Sequence, residues 1–224
     1  MWPLPKIEAQ RFSTSQRDDL WGFVLDNPGS VEDGNEGVSV LLASPTWKGE
    51  LPEGVTRVIQ GDTDFLGTLT RTQLIEPRDL ANVKKIQQEY KLQPLSAYLG
   101  KPAAKTAPAI KWMRWKEGVE KTDEFWAYVN FLLSFTTPNP QDKPVQDRMA
   151  KIGLVAGKPW DSAALGKDLE DAIAAGMKDA LEELNKATTT FDDPSLFFRS
   201  RKDLNKDYFN RALGVLVGIF GNVK

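Results

Sequence analysis

Three groups of residues have types and spacings that could do chemistry. Asp62 and Asp64 stand two apart just ahead of a strand that carries Arg71, a set that could serve acid-base or glycan-hydrolysing chemistry. Lys111-Trp112-Met113-Arg114-Trp115-Lys116 alternates cations with indoles, a pattern able to stack a base or a sugar. Trp47 and Lys48 lie in a Pro-Thr-Trp-Lys-Gly turn, where an indole at the mouth of a sheet suits a sugar ring or a flat apolar ligand. Each group also has a plainer account, and the plainer one carries more weight. Aspartates in turns bond nearby backbone amides. An arginine between Thr70 and Thr72 in a half-buried strand calls for an aspartate on a neighbouring strand, because an unpaired buried charge is expensive. The tryptophans of 111–116 can pack inward with their cations solvated, and Trp47 can cover the open end of a sheet.

Composition removes much of the remaining chemistry. The chain has 224 residues, with no cysteine and no histidine. That excludes thiol nucleophiles, histidine-based triads, zinc sites of thiolate or imidazole type and haem ligation by this chain. Any metal site would be all-oxygen, no calcium-type Asp-x-Asp-x-Asp-Gly loop is present, and neither a metal nor a cofactor is expected. With 29 basic against 31 acidic residues there is no global field to gather nucleic acid or an anionic membrane surface. The longest apolar run, Ala212 to Phe220, is far short of the roughly 20 residues that span a bilayer and reads as a buried helix. No signal peptide is visible at Met1-Trp2-Pro3-Leu4-Pro5, so a soluble chain is expected.

The elements that must position these groups change character along the chain. Runs at Trp21 to Leu25, Val38 to Ala43, Val55 to Gln60 and Phe65 to Thr72 are separated by Asn27-Pro28-Gly29, Asp33-Gly34 and Gly49 to Gly54, which predicts antiparallel strands joined by turns. Leu80, Val83, Ile86 and Tyr90 then recur at helical spacing behind Pro77. Asp123 to Phe135 is apolar nearly all round and predicts a helix buried on most sides, with Thr122 as its N-cap. Val145, Met149 and Ile152 form a stripe ended by Gly153. Leu169 to Leu184 carries a longer stripe with a Glu182–Lys186 pair on its wet face, and Phe209 to Phe220 a last one. Thr136 to Pro140 and Thr188 to Thr190 read as loops. The expected organisation is a strand-rich part over 1–100, a hinge at Lys101 to Pro108, and a helical region over 109–224.

Several motifs keep a common order. Ser44-Pro45-Thr46-Trp47-Lys48-Gly49 with Leu51-Pro52-Glu53-Gly54, then Arg71-Thr72, then Tyr90-Lys91-Leu92-Gln93-Pro94-Leu95-Ser96-Ala97-Tyr98 resemble the family named domain of unknown function 1254. Phe125 to Leu133, Lys151-Ile152-Gly153, Gly157-Lys158-Pro159-Trp160, Asp207-Tyr208, Arg211-Ala212 and Gly218 through Asn222 are similar to its later segments. The resemblance implies an α+β fold in which an antiparallel, jelly-roll-like β-sandwich packs with a helical half. It also implies that an upstream part of the sheet and a downstream domain, numbered 1214, are missing from this chain.

A domain that begins mid-sheet leaves an unpaired strand edge. The expected function is therefore binding or interaction, with another protein chain or self-association supplying the missing strands. A hydrolase acting on glycans or esters and a small-molecule carrier are the alternatives.

Overall fold

Val-Ser-Val-Leu-Leu-Ala at 38–43 is apolar on both faces of a strand, the pattern of a strand buried from two sides. In the computed structural model, which describes residues 1–218, it is the central strand β4 (Val38–Ala43) of a three-stranded sheet, between β1 (Trp2–Leu4) and β5 (Arg57–Gln60). A second three-stranded sheet has β2 (Ser13–Asp19) at its centre, flanked by β3 (Val24–Asp26) and β6 (Leu66–Thr72). Val38, Val40 and Ile59 bury one face of β4 with Trp2, Leu4, Leu25 and Leu42. The other face carries Leu41 and Ala43 against Met1, Val55, Trp47, Leu95 and Tyr98.

All pairings are antiparallel except β4 with β5, which run parallel. The turn spacing predicts an antiparallel neighbour there. The chain from Ser44 to Thr56 instead crosses over, and the Trp47 turn packs on the apolar face of β4 as it returns. Helix α1 (Leu80–Glu89) follows β6 and buries Val83 and Ile86, with Pro77 in the preceding 3-10 turn. A single turn, α2 (Leu95–Tyr98), completes this part of the chain.

The chain divides into two compact units, Met1–Pro108 and Ala109–Lys224. The second is helical: α3 (Phe125–Leu133), α4 (Lys143–Lys151), α5 (Lys167–Thr190), α6 (Arg201–Leu204) and α7 (Tyr208–Gly218). Gly153 takes the left-handed conformation just past α4, and Leu154 N–H closes on the Met149 carbonyl at 3.0 Å. Asp142 is buried between the C-terminal helices, accepting from Arg201 Nη1 at 2.9 Å and from the Tyr208 hydroxyl at 3.1 Å. In α7, Leu213 and Val217 are buried as the stripe predicts, while Phe220 and the Asn222 end of the family motif lie outside the described residues.

Four helical expectations are corrected. Helix α3 is not enclosed: only Tyr128 and Asn130 are buried, and Leu132 is exposed. Thr122 does not cap it, because its hydroxyl donates back to the Val119 carbonyl at 2.9 Å and ends the preceding turn. Thr188, Thr189 and Thr190 are the last turn of α5, not a loop, with each hydroxyl donating to a helix carbonyl three or four residues earlier. On the same helix Glu182 meets Lys178, one turn before it, at 3.7 Å, where the expected partner is Lys186, one turn after it.

Candidate functional site

The β2 segment, Ser-Thr-Ser-Gln-Arg-Asp-Asp, is polar at every position, yet its inward face is buried at Ser15, Arg17 and Asp19. Residues opposite them on β6 are Thr70, Thr68 and Leu66. The layer between the two sheets is therefore rich in hydroxyls. Ser15 and Thr70 hydroxyls are 2.6 Å apart, and Thr72 shares a hydrogen bond of 2.8 Å with the Tyr90 hydroxyl. Tyr90 in turn stacks on Trp2 of β1, with centroids 6.3 Å apart and an interplanar angle of 18°.

Arg17 sits in this layer with 0% of its surface exposed. Its guanidinium lies over the Trp2 ring, 4.8 Å from the centroid. Nη1 donates to the Gln16 carbonyl at 3.2 Å and to the Thr68 hydroxyl. Nε and Nη2 have no hydrogen-bond partner, and neither does Nε1 of Trp2. A buried donor left without an acceptor costs about 1–3 kcal/mol, and more when charged. Burial holds the Arg17 pKa down at about 10, against the opposing pull of Asp26 and Asp18. Asp26 faces Arg17 across the strand pair but gives its Oδ2 to Arg57 Nε at 2.6 Å.

The outer edge of β6 is the other notable feature of this unit. β6 pairs with β2 over seven residues in unbroken register and has no strand on its other side among the described residues. Ser15 N–H points to the Pro28 carbonyl at 2.7 Å, away from β6. In an antiparallel ladder the opposite residue then also points away, so Thr70 directs its N–H and carbonyl to the free edge. Leu69, at mid-strand, is 42% exposed.

The predicted acid-base group is not assembled. Asp62 and Asp64 flank the buried Thr63 in the connection before β6, whereas Arg71 lies near the far end of that strand. At about 3.3 Å per residue, Leu66 and Arg71 alone are roughly 16 Å apart. Arg71 is exposed on the outer face opposite Thr14, so it needs no buried aspartate; the arginine buried within this sheet's strands is Arg17, on the opposite face. Trp47 is half-buried in the core against Leu41 and Val55, and Lys48 is exposed.

In the second unit Trp112 and Trp115 lie on an irregular segment and are 58% and 51% exposed. Trp112 packs on Phe131 and Phe135 at centroid distances of 6.0 and 6.2 Å, and Trp115 meets Tyr128 edge-on at 5.4 Å. The Tyr128 hydroxyl donates to the Arg114 carbonyl at 2.6 Å, and Lys116 pairs with Glu124 at 2.5 Å. Between this segment and Trp160 runs a groove of about 590 Å³, lined also by Asp123, Ala127 and Ser162. A second groove, of about 630 Å³, continues past Asp123, Trp160 and Ser162 along Ile173, Met177 and Leu181 of α5. The indoles are thus half outward, not packed inside as expected. The groove can hold a flat or apolar group against aromatic rings, but its charged rim carries both signs.

Sequence reasoning missed Arg17, Trp2 and Tyr128. Arg17 gave no signal because β2 lacks an apolar alternation, and Tyr128 was hidden within an apolar run. Among the described residues no cluster of three acidic side chains could hold a metal ion, and no helix is long and apolar enough to cross a membrane.

Residues 3–94 match the model of a family described as Protein of unknown function (DUF1254). The motifs beyond Pro94 lie outside that match. Among solved structures the chain is similar to the VPA0106 protein from Vibrio parahaemolyticus, with a TM-score of 0.77 at 20% identity, over 97% of this chain and 52% of that one. The likeness is one of fold, and the chain spans about half the length of the Vibrio protein. No curated protein matches this sequence.

Proposed function

With residues 3–94 matching the DUF1254 family, we propose that the chain is a binding module whose β-region takes an extended segment of another polypeptide along β6. The observation that carries this is the free β6 edge. Exposed edges are usually blunted by a bulge, a proline, a short strand or several charges. β6 is seven residues long and regular in register, and its sequence Leu-Gly-Thr-Leu-Thr-Arg-Thr holds one charge and no proline. An added strand would extend the β3-β2-β6 sheet and shield Leu69, and a jelly-roll-like closure of the two sheets belongs to the same proposal.

Hydrogen exchange combined with native mass spectrometry tests it. In a 25.0 kDa monomer the Thr70 amide exchanges fast while the Leu69 and Arg71 amides, directed at β2, are protected. In an assembly the Thr70 amide becomes protected too. Thr70→Ala and Thr70→Pro both lose the hydroxyl, but only proline removes the outward N–H, so only Thr70→Pro should release the partner. An assembly in which Thr70 stays unprotected, or that survives Thr70→Pro, overturns the proposal.

A second reading, a carrier of small flat molecules, draws on the aromatic groove at Trp112, Tyr128 and Trp160. Quenching of tryptophan fluorescence by a bound ligand, lost in Trp112→Ala, would favour it. A hydrolytic site built from Asp62, Asp64 and Arg71 draws no support from their separation.

A further inference from the structure

We infer that Arg17 and Trp2 form a receptor for a carboxylate group that the described part of the chain does not itself supply. Three donors are unpartnered on two side chains of the layer between the sheets: Arg17 Nε, Arg17 Nη2 and Trp2 Nε1. The arginine and the indole that carry them are in face contact at 4.8 Å. Nε and Nη2 form one edge of the guanidinium, and their two N–H groups are parallel. That edge matches the two oxygens of a carboxylate, which accepts both bonds at once. The rest of the fork is already fixed, because Nη1 is engaged with the Gln16 carbonyl and the Thr68 hydroxyl, and Trp2 backs the plane. Such an arrangement is preorganised, with donors held and no acceptor among them.

The carboxylates nearby do not fill the role. Asp26 is bonded to Arg57 at 2.6 Å. Asp18 sits on the outer face of β2 and accepts from Gln16 Nε2 at 2.9 and 3.1 Å. The hydroxyls of Ser15 and Thr70 satisfy one another. The inference stands apart from the β6 edge, since a small carboxylate needs no added strand and an added strand needs no carboxylate.

The test is a titration of ¹⁵N-labelled protein with sodium formate against sodium chloride at equal ionic strength. The readouts are the Arg17 Nε–H and Trp2 Nε1–H resonances and the melting temperature. Formate, but not chloride, should move both resonances downfield in a saturable way and raise the melting temperature. Arg17→Lys, which keeps the charge but loses the parallel pair, should weaken formate binding about tenfold or more. Trp2→Phe keeps the ring and removes one donor, so it gives a second, milder loss should Arg17→Lys fold poorly.

The source of the natural carboxylate is read in the same samples. Resonances already downfield, insensitive to formate and accompanied by a second chain in the native mass spectrum assign the carboxylate to an acidic side chain of a partner. Resonances that return upfield on dialysis assign it to a free acid. A 25.0 kDa monomer whose two resonances ignore formate overturns the inference.

Discussion

Arg11 grips Asp79 with both arms of its fork, Nη1 to Oδ2 at 2.7 Å and Nη2 to Oδ1 at 2.9 Å. The two residues are 68 apart in sequence and tie the entry to β2 to the start of α1. Glu8 adds two more bonds to the same guanidinium, which is 2% exposed. Arg11 holds both carboxyls down, from ordinary values of 4.5 and 3.8 to about 2 for Glu8 and Asp79 alike. A carboxyl with a depressed folded pKa contributes stability above its unfolded value and loses it as pH falls toward the folded one. The melting temperature should therefore decline as pH drops from about 4.5 to about 2. Asp79→Asn should lower it at neutral pH and flatten part of that acid slope. A thermal melt series across this range checks both; an unchanged slope in Asp79→Asn would sink the assignment.

Gly29 sets the crossing of the β3–β4 connection over Ser13. Its φ is +151°, and a Cβ there would lie 2.8 Å from Thr14 Cα and press on the Ser13 carbonyl oxygen. That carbonyl already accepts from Ser30 N–H at 2.9 Å, so it has little room to retreat. Gly29→Ala should cost on the order of 2–4 kcal/mol by urea unfolding. Gly34, at φ +74° with nothing within 4 Å of where an alanine methyl would stand, isolates the backbone effect alone, and Gly34→Ala should cost about 1 kcal/mol. Equal losses for the two would mean that the steric clash at Gly29 is relieved by movement.

How much of this was legible before the structure follows from where apolar pattern and burial coincide. β4 stood out because Val38, Val40, Leu41 and Ala43 are apolar and buried, and α1 because Val83 and Ile86 recur at helical spacing. β2 was invisible because its buried positions are Ser15, Arg17 and Asp19, which propensity and hydrophobic pattern assign to loop. For the same reason Arg71 attracted attention that belonged to Arg17: flanking threonines mark a strand but not which face of it is buried. Helix α3 misled in the opposite direction, since an apolar surface can remain half-exposed along an open groove. The aromatic segment 111–116 was found from its alternation alone, but its neighbours Tyr128 and Trp160 come from distant sequence and only the fold brings them to it.

Asn130 organises the loop after α4. Nδ2 donates to the Gly153 and Lys158 carbonyls at 3.0 Å each, and Oδ1 accepts from Val155 N–H at 2.8 Å. The side chain is wholly buried, so each bond it makes is one that water cannot replace. Asn130→Ala leaves two carbonyls and an N–H without partners and should cost about 2–4 kcal/mol. Asn130→Asp keeps the shape but turns two attractive contacts into carboxylate facing carbonyl, so it should be destabilised at neutral pH and partly recover as pH falls. A urea titration of both variants at two pH values separates packing from hydrogen bonding; a pH-independent loss in Asn130→Asp would argue that the loop simply detaches.

Arg17 gives a prediction of unusual sign. In a chain without a bound acceptor its guanidinium is buried with two nitrogens unpartnered, and the Trp2 face and the Thr68 hydroxyl offset only part of that loss. Arg17→Met retains length and apolar contact with Trp2 while removing the charge, so it should stabilise the isolated chain by about 1–3 kcal/mol at neutral pH. The pH dependence of the difference follows from the folded pKa of about 10, below the ordinary arginine range. Below about 10 both folded and unfolded chains carry the proton and the burden of burying the cation is full. Above it the folded chain releases the proton first, so the wild type gains stability as pH rises and the advantage of Arg17→Met should shrink. Paired urea titrations of the two proteins at pH 7 and at alkaline pH measure this directly. A large destabilisation by Arg17→Met in a monomer free of ligand would mean that ordered water already serves Nε and Nη2, and the carboxylate receptor would lose its physical motive.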